Sequence, residues 1–253
     1  MIIFLQTMAK EQISVIIPVL NEAVYISRLL AHLQAHANAA VLEIIAVDGG
    51  STDATAACVA SFSGVKWLTM EGSTDAACRA TQMNLGALHA RGSILWFVHA
   101  DTLPPPSYAA DILRAVAQGK SLGGYAFDFE SDRFILRLNS WFTRLNWSFT
   151  RGGDQTLFVT RALWEQLQGY QAHFVVMEEY DFIDRAQAIG FRYHRLKGAV
   201  KVSARKYDQN SYMQVQRANL KVFRMYRAGE SPEAIRATYY AMLKHPKDDS
   251  NEA

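Results

Sequence analysis

Five short polar clusters carry the residue types of this chain that could do chemistry. Asp48-Gly49-Gly50-Ser51-Thr52-Asp53 joins carboxylates to paired glycines. A carboxylate at a strand end can accept a hydrogen bond from a nucleobase N–H, and glycines let backbone approach a nucleotide closely. The plain alternative is a turn in which Ser51 or Thr52 caps the next helix. His99-Ala100-Asp101 offers one carboxylate after an apolar run. That suits Mg2+ or Mn2+, which take one or two carboxylates plus phosphate oxygens; a loop or capping Asp is the alternative. His99 either contacts ribose or diphosphate, adds a nitrogen ligand that would favour Mn2+, or is a satisfied structural histidine. Arg151-Gly152-Gly153-Asp154-Gln155 sets polar side chains beside paired glycines, as a ligand-hugging loop or a simple turn would. Met177-Glu178-Glu179-Tyr180-Asp181 crowds three carboxylates at a helix start. The helix dipole tolerates them there, and a general base can be held there; charge complementarity alone is the plainer account. Ser203-Ala204-Arg205-Lys206-Tyr207 brings two adjacent cations, useful for a diphosphate leaving group or merely solvated.

The elements around these clusters say how they are placed. Continuous apolar, β-branched runs at 13–19, 42–47, 65–70 and 94–98 predict buried strands. Helices are predicted from residue 23 onward and over 52–61 and 76–90. Strands alternating with helices imply βαβ units and a mainly parallel sheet. Ligands of such sheets bind beyond the carboxyl ends of the strands, and Asn21-Glu22, Asp48 to Asp53 and His99 to Asp101 all fall at predicted strand ends. Further on, strands are predicted at 122–130 and 156–160. Helices are predicted at 108–118, 134–149, 162–168, 179–189, 213–227 and 232–243.

Composition narrows the class. The 253 residues are half hydrophobic and one-fifth charged, enough for a substantial core. A single α/β domain over 13–245 is expected, with flexible tails at 1–12 and 246–253. A net charge of +2 argues against a dedicated nucleic-acid binder. Cys58 and Cys78 form no C-x-x-C pair, so neither zinc nor a redox motif is expected and a reduced cytoplasmic protein is the simple reading. No run is long enough to span a bilayer.

Together the clusters resemble the inverting GT-A glycosyltransferases of family two, from residue 13 to about 240. Val15-Ile16-Ile17-Pro18-Val19-Leu20-Asn21-Glu22 looks like that family's opening nucleotide-binding strand, and Asp48 to Asp53 like its base-binding strand end. His99-Ala100-Asp101 stands at its D-x-D metal motif and Glu178-Glu179 at its Glu-Asp catalytic pair. Arg79, Gln82-Met83-Asn84, Gly86, His99 to Thr102, Gly152 to Gln155 and Ser203 to Arg205 resemble, more narrowly, the bacterial radical-SAM/selenodomain-associated glycosyltransferases. The chain departs from the wider pattern at Gly49, at His99 and at Glu179, where many members carry Asp.

The resemblance implies a GT-A fold, a nucleoside-diphosphate sugar donor, chiefly a UDP sugar, and a divalent cofactor, Mg2+ or Mn2+. It implies Asp48 on the uracil and Pro18 and Asn21 along base and ribose. Glu22 would reach the ribose, and Gly50, Arg79, Asn84, His99, Gly153, Asp154, Gln155 and Arg205 would be substrate contacts. Asp101, with His99, would take the metal. Glu179 would be the base, with Asp181 the alternative and Glu178 beside it. Non-catalytic sugar-nucleotide binding or partner docking on the same fold is the rival reading. The segments 134–151 and 207–227 interleave aromatic and basic residues. Either the aromatics are core and the arginines a solvated face, or the surface rests weakly on an anionic membrane face and meets a lipid-linked acceptor at the cytoplasmic side. Homo-oligomers are left open.

Overall fold

The first β-branched run becomes β1 (Ile13–Val19), buried along its whole length. In the computed structural model, which describes residues 11–70, 78–144 and 156–244, β1 pairs in parallel with both β2 (Val41–Asp48) and β4 (Ile94–Phe97). β2 in turn pairs in parallel with β3 (Val65–Thr69). α1 (Ala23–His36), α2 (Thr55–Ala60) and α3 (Arg79–His89) lie between these strands in sequence. Both faces of β1 are covered, which is why its sequence is uniformly apolar rather than alternating. Ile13, Val15 and Ile17 pack with Ile26, Leu29 and Leu30 of α1. Ile16 faces the other way, onto Ala80, Met83 and Ala87 of α3.

After β5 (Thr102–Leu103) and α4 (Tyr108–Ala117), the sheet continues with mixed polarity. β6 (Leu122–Glu130) and β4 both run antiparallel to β7 (Leu157–Thr160), which lies between them. β8 (His194–Ser203) is parallel to β6 and antiparallel to β5. The order is β3-β2-β1-β4-β7-β6-β8-β5. α5 (Phe134–Phe142), α6 (Arg161–Gln166), α7 (Glu178–Ala188), α8 (Lys206–Gln209), α9 (Tyr212–Arg227) and α10 (Pro232–Met242) complete the described chain. Ser211 and Ser231 cap α9 and α10 by accepting the N–H of Gln214 and Ala234.

β8 is the longest of the elements the sequence did not announce, beside the short β5 and α8. Its residues read His-Arg-Leu-Lys-Gly-Ala-Val-Lys-Val-Ser, with lysines and a positive-φ glycine, Gly198, in place of a continuous apolar run. Pairing with β6 slips where Gly124 faces Arg195 but Ala126 faces Ala199, which breaks the alternation that would mark a strand. α2 begins at Thr55 rather than at residue 52, because Ser51, Thr52 and Asp53 are held in loop contacts. The predicted helix 134–149 is helical to Phe142, and its part beyond residue 144 lies outside the described residues. So do the expected tails, except Glu11 and Gln12. Those two are tied down: Gln12 N–H donates to Ser93 Oγ and Ser93 Oγ donates to Glu11.

Gly86 is where α3 can lie against β1. A Cβ there would meet Ile16 Cγ2 at 2.4 Å and Val47 Cγ2 at 3.1 Å. Gly86→Ala should therefore destabilise the fold by about 1–3 kcal/mol through overpacking, outweighing the ~1 kcal/mol helix-propensity gain. A urea midpoint equal to wild type would show that α3 can rise off the sheet at no cost.

Candidate active site

β1, β2 and β4 run in parallel, so their carboxyl ends open on one rim of the sheet. Asp48, the last residue of β2, sits opposite Val19. Its buried carboxylate accepts the Ser51 N–H at 3.0 and 3.1 Å and the Ser51 hydroxyl. Ser51 Oγ accepts the Asn21 N–H at 2.9 Å, Asn21 Oδ1 accepts the Thr52 N–H at 2.8 Å, and Thr55 Oγ1 accepts the Glu22 N–H at 2.8 Å. The loops after β1 and β2 are thereby stitched into one wall. The turn reading of this cluster holds, but the capping one does not: Ala54, not Ser51 or Thr52, precedes α2, with no side-chain cap. Asn21 takes φ +51°, a left-handed value that asparagine tolerates, and Gly50 takes +99°. Pro18 is buried in β1 opposite Val47.

Gln82 forms the floor. Its amide Nε2 donates to Val19 O at 2.7 Å and Val47 O at 2.8 Å, clamping the ends of β1 and β2. A Cβ on Gly49 would lie 3.0 Å from that nitrogen. A side chain at position 49 would therefore press on the clamp, and Gln82 would have to give by a few tenths of an ångström.

A second group lies between Glu22 and Asp101. Arg205 grips Glu22 with both η nitrogens at 2.8 Å and reaches Asp101 Oδ2 at 3.0 Å. Its guanidinium lies 4.8 Å from the Tyr25 ring centroid. Burial alone would lower the Arg205 pKa, but Glu22 and Asp101 more than offset that and raise it. The short β5–β8 ladder brings the partners together: Thr102 pairs with Val202, and the Ser203 N–H donates to Asp101 O at 3.1 Å. Sequence reasoning named Arg205 and Asp101 but had no strand to join them. It missed Tyr25 and Thr55 altogether.

The third group opens α7. Met177 precedes the helix at φ +75°, uncommon for a residue with a Cβ. Glu178 and Glu179 are only 2% and 4% exposed, so charge complementarity at a solvated helix start does not describe them. Arg79 Nη2 lies 3.0 Å from Glu178 Oε1. His99 Nε2 lies 3.6 Å from Glu179 Oε1, just beyond hydrogen-bond length. Burial, with Glu179 close by, raises the Glu178 pKa against the pull of Arg79. Burial would lower the His99 pKa, but the Glu179 carboxylate and Asp101 win and raise it. Asp181 is two residues on, about 200° around the helix. It binds Arg185 Nε at 2.8 Å and lines a separate hollow with Asp184 and Tyr226. Asn84 uses both ends of its amide on the Tyr170 backbone, bracing α3 to the segment before α7. Gly153, Asp154 and Gln155 lie outside the described residues.

Beside Glu178 and Glu179 is a cavity of about 650 Å³, walled by Phe127, Phe129, Tyr180, Tyr207 and Phe223 among others. α5 does not bury its aromatics as a core helix would: Phe134 is 77% and Trp141 53% exposed. No helix among the described residues is long and apolar enough to cross a membrane.

Among the described residues, Asp101 is the candidate anchor for a divalent metal. Among the described residues no three His, Cys, Asp or Glu side chains form a metal cage. Asp101 supplies a single carboxylate next to a guanidinium, the donor set of an ion completed by substrate phosphates. The described residues fit that mode of binding. His99 turns Nε2 to Glu179, so that nitrogen is engaged there.

The sequence profile of a family described as glycosyl transferase family 2 matches residues 14–179, from β1 to the carboxylate beside the cavity. The chain belongs to this family. Comparison with curated protein sequences found no match. Solved structures share the fold. TarS from S. aureus, residues 1–349 with UDP, is 19% identical with TM-score 0.63, over 76% of this chain and 60% of that one. A mannosyltransferase from Pyrobaculum calidifontis, with GDP-Man and Mn2+, is 16% identical with TM-score 0.63, over 93% and 70%. Glucosyl-3-phosphoglycerate synthase from Mycobacterium tuberculosis, with Mn2+ and UDP, is 18% identical with TM-score 0.55, over 94% and 81%. The family 2 chain described here thus spans under two-thirds of the TarS fragment's length. Its sheet is the mixed α/β sheet of the GT-A glycosyltransferases.

Proposed function

We propose that this chain transfers a sugar from a nucleoside-diphosphate donor, a UDP sugar, to an acceptor hydroxyl with inversion at the anomeric carbon. The observation that carries the reading is one connected series of contacts along the rim. It runs from Asp48 through Ser51 to Asn21-Glu22, then through Arg205 to Asp101, and from the neighbouring His99 to Glu179. Contacts thus link residues that lie far apart in the chain. The ligands of the fold neighbours support it: UDP for TarS, GDP-Man and Mn2+ for the mannosyltransferase, UDP and Mn2+ for the phosphoglycerate enzyme. The narrower likeness to the radical-SAM/selenodomain-associated group is proposed on Arg79, Gln82-Met83-Asn84, Gly86, His99 to Thr102, Gly152 to Gln155 and Ser203 to Arg205.

In this reading Asp48 accepts the uracil N3–H, and backbone at Pro18, Asn21 and Gly50 borders base and ribose. Asp101, with the donor phosphates, would hold a divalent ion, which would supply Lewis-acid neutralisation of the diphosphate. Arg205 donates to the phosphate oxygens as charge builds there. The acceptor oxygen forms its bond to the anomeric carbon from the face opposite the diphosphate. The anomeric C–O bond breaks, its electron pair leaves with the nucleoside diphosphate, and the acceptor proton passes to Glu179. His99 and Arg79 hold the two glutamates in place.

Two measurements test the donor side. A panel of nucleotide sugars with Mn2+ should include one that raises the melting temperature by mass action and releases nucleoside diphosphate on incubation. Tight binding with no release under any acceptor would assign the chain to the non-catalytic rival instead. Asp101→Ala should then abolish the Mn2+-dependent part of UDP affinity in calorimetry while the metal-free part persists. Titrations identical to wild type would remove Asp101 from the donor site.

A further inference from the structure

We infer that the acceptor is an alcohol carried on a bulky apolar body, aromatic or branched hydrocarbon, seated in the cavity between β6, α5, α7 and α9 with its hydroxyl at Glu179. The inference rests on the transferase reading and deepens it. At about 650 Å³ the cavity lies within the range of small-molecule sites. Its wall is built from aromatic and aliphatic side chains, including Phe127, Phe142, Leu220 and Phe223. Among the described lining residues the charges are Arg79, Lys206, Glu178 and Glu179. Both cations are engaged: Arg79 on Glu178, Lys206 on the hydroxyl and ring of Tyr239. The two carboxylates would repel a phosphorylated or carboxylated acceptor, and the aromatic and aliphatic side chains of the wall outnumber its neutral polar ones, Asn139, Thr143, Gln216 and Asn219. An apolar body gains there by leaving water, roughly 25 cal/mol per Å² buried. The only polar contact such an acceptor requires is the one the reaction uses, its hydroxyl proton passing to Glu179 as its oxygen bonds the anomeric carbon.

The probes are 2-naphthaleneethanol, with glycerol and 3-phosphoglycerate as polar comparators, titrated calorimetrically into the full chain in parallel with UDP and Mn2+. Saturable binding is expected for the naphthyl alcohol and for neither comparator. Leu220→Glu and Phe142→Glu place a charge on the cavity wall at positions already 50% and 41% exposed, where the new carboxylate can keep its water. Each should weaken the alcohol at least tenfold. If UDP binds but the naphthyl alcohol does not saturate, or binds both variants as it binds wild type, the inference is overturned and the donor reading stands. If UDP also fails, the donor reading falls first and takes this one with it. Two sources of such an alcohol separate in a turnover assay with the donor. Transfer to dissolved 2-naphthaleneethanol assigns a soluble acceptor. Transfer only to farnesol embedded in phosphatidylcholine–phosphatidylglycerol vesicles, with the protein pelleting beside them at low salt, assigns a bilayer one and gives the exposed apolar side chains of α5 their use. No transfer in either arm, from a donor that is hydrolysed, sinks the inference.

Discussion

Glu179→Gln should lower kcat by about 10²–10⁴-fold, some 3–5 kcal/mol of barrier, while donor affinity stays within about twofold of wild type. The substitution keeps the side chain's shape and removes only its ability to take a proton. Glu179 borders the cavity together with Glu178, and the nearest charged partner of its buried Oε1 is the His99 ring at 3.6 Å rather than a guanidinium. Its neighbour Glu178 is committed to Arg79 at 3.0 Å and has its pKa raised by burial and by Glu179. Asp181 is bound to Arg185 and faces another hollow. Asp181→Asn should therefore leave turnover within a few-fold of wild type and cost chiefly stability. Single-turnover kinetics on the two variants decide between them. A collapse of turnover in Asp181→Asn with Glu179→Gln near wild type would reverse the assignment of the base.

Much of the first half of the fold was legible because β1, β2 and β4 are covered on both faces, so they appear as apolar runs ending at polar clusters. That pattern also placed Asp48 and Asp101 near strand ends. β8 was not legible: it alternates imperfectly, carries Lys197 and Lys201 outward, and breaks register near Gly198. The contact between Asp101 and Arg205 depends on that strand, so the sequence supplied both residues without the pairing that joins them. Glu179 and Asp181 were indistinguishable as letters, since only the direction of the helix face separates them. The cavity was hidden for a different reason. Its wall draws Phe127 and Phe129 from a strand and Tyr180, Tyr207 and Phe223 from three helices, each of which reads locally as ordinary core.

Arg205→Met should cost both folding and catalysis, and the two losses can be separated. The guanidinium is the cation shared by Glu22 and Asp101, with Glu22 almost fully buried. Removing it takes the shared cation away from two adjacent carboxylates, a loss of about 3 kcal/mol at the low end of what breaking a buried pair costs, since Arg205 and Asp101 keep some contact with water. Turnover should fall about 10²–10³-fold, the usual effect of deleting one preorganised donor to a developing charge. Adding Glu22→Gln removes the stranded charge, so the double variant should regain much of the melting temperature lost. It should not regain turnover, because the leaving diphosphate still lacks its donor. Arg205→Lys, a point charge without the planar fork that grips Glu22 at two places, should fall between wild type and Arg205→Met in both readouts. If the double variant recovers full turnover along with stability, Arg205 serves only to neutralise Glu22 and Asp101, and the electrostatic support for the leaving group must come from elsewhere on the rim.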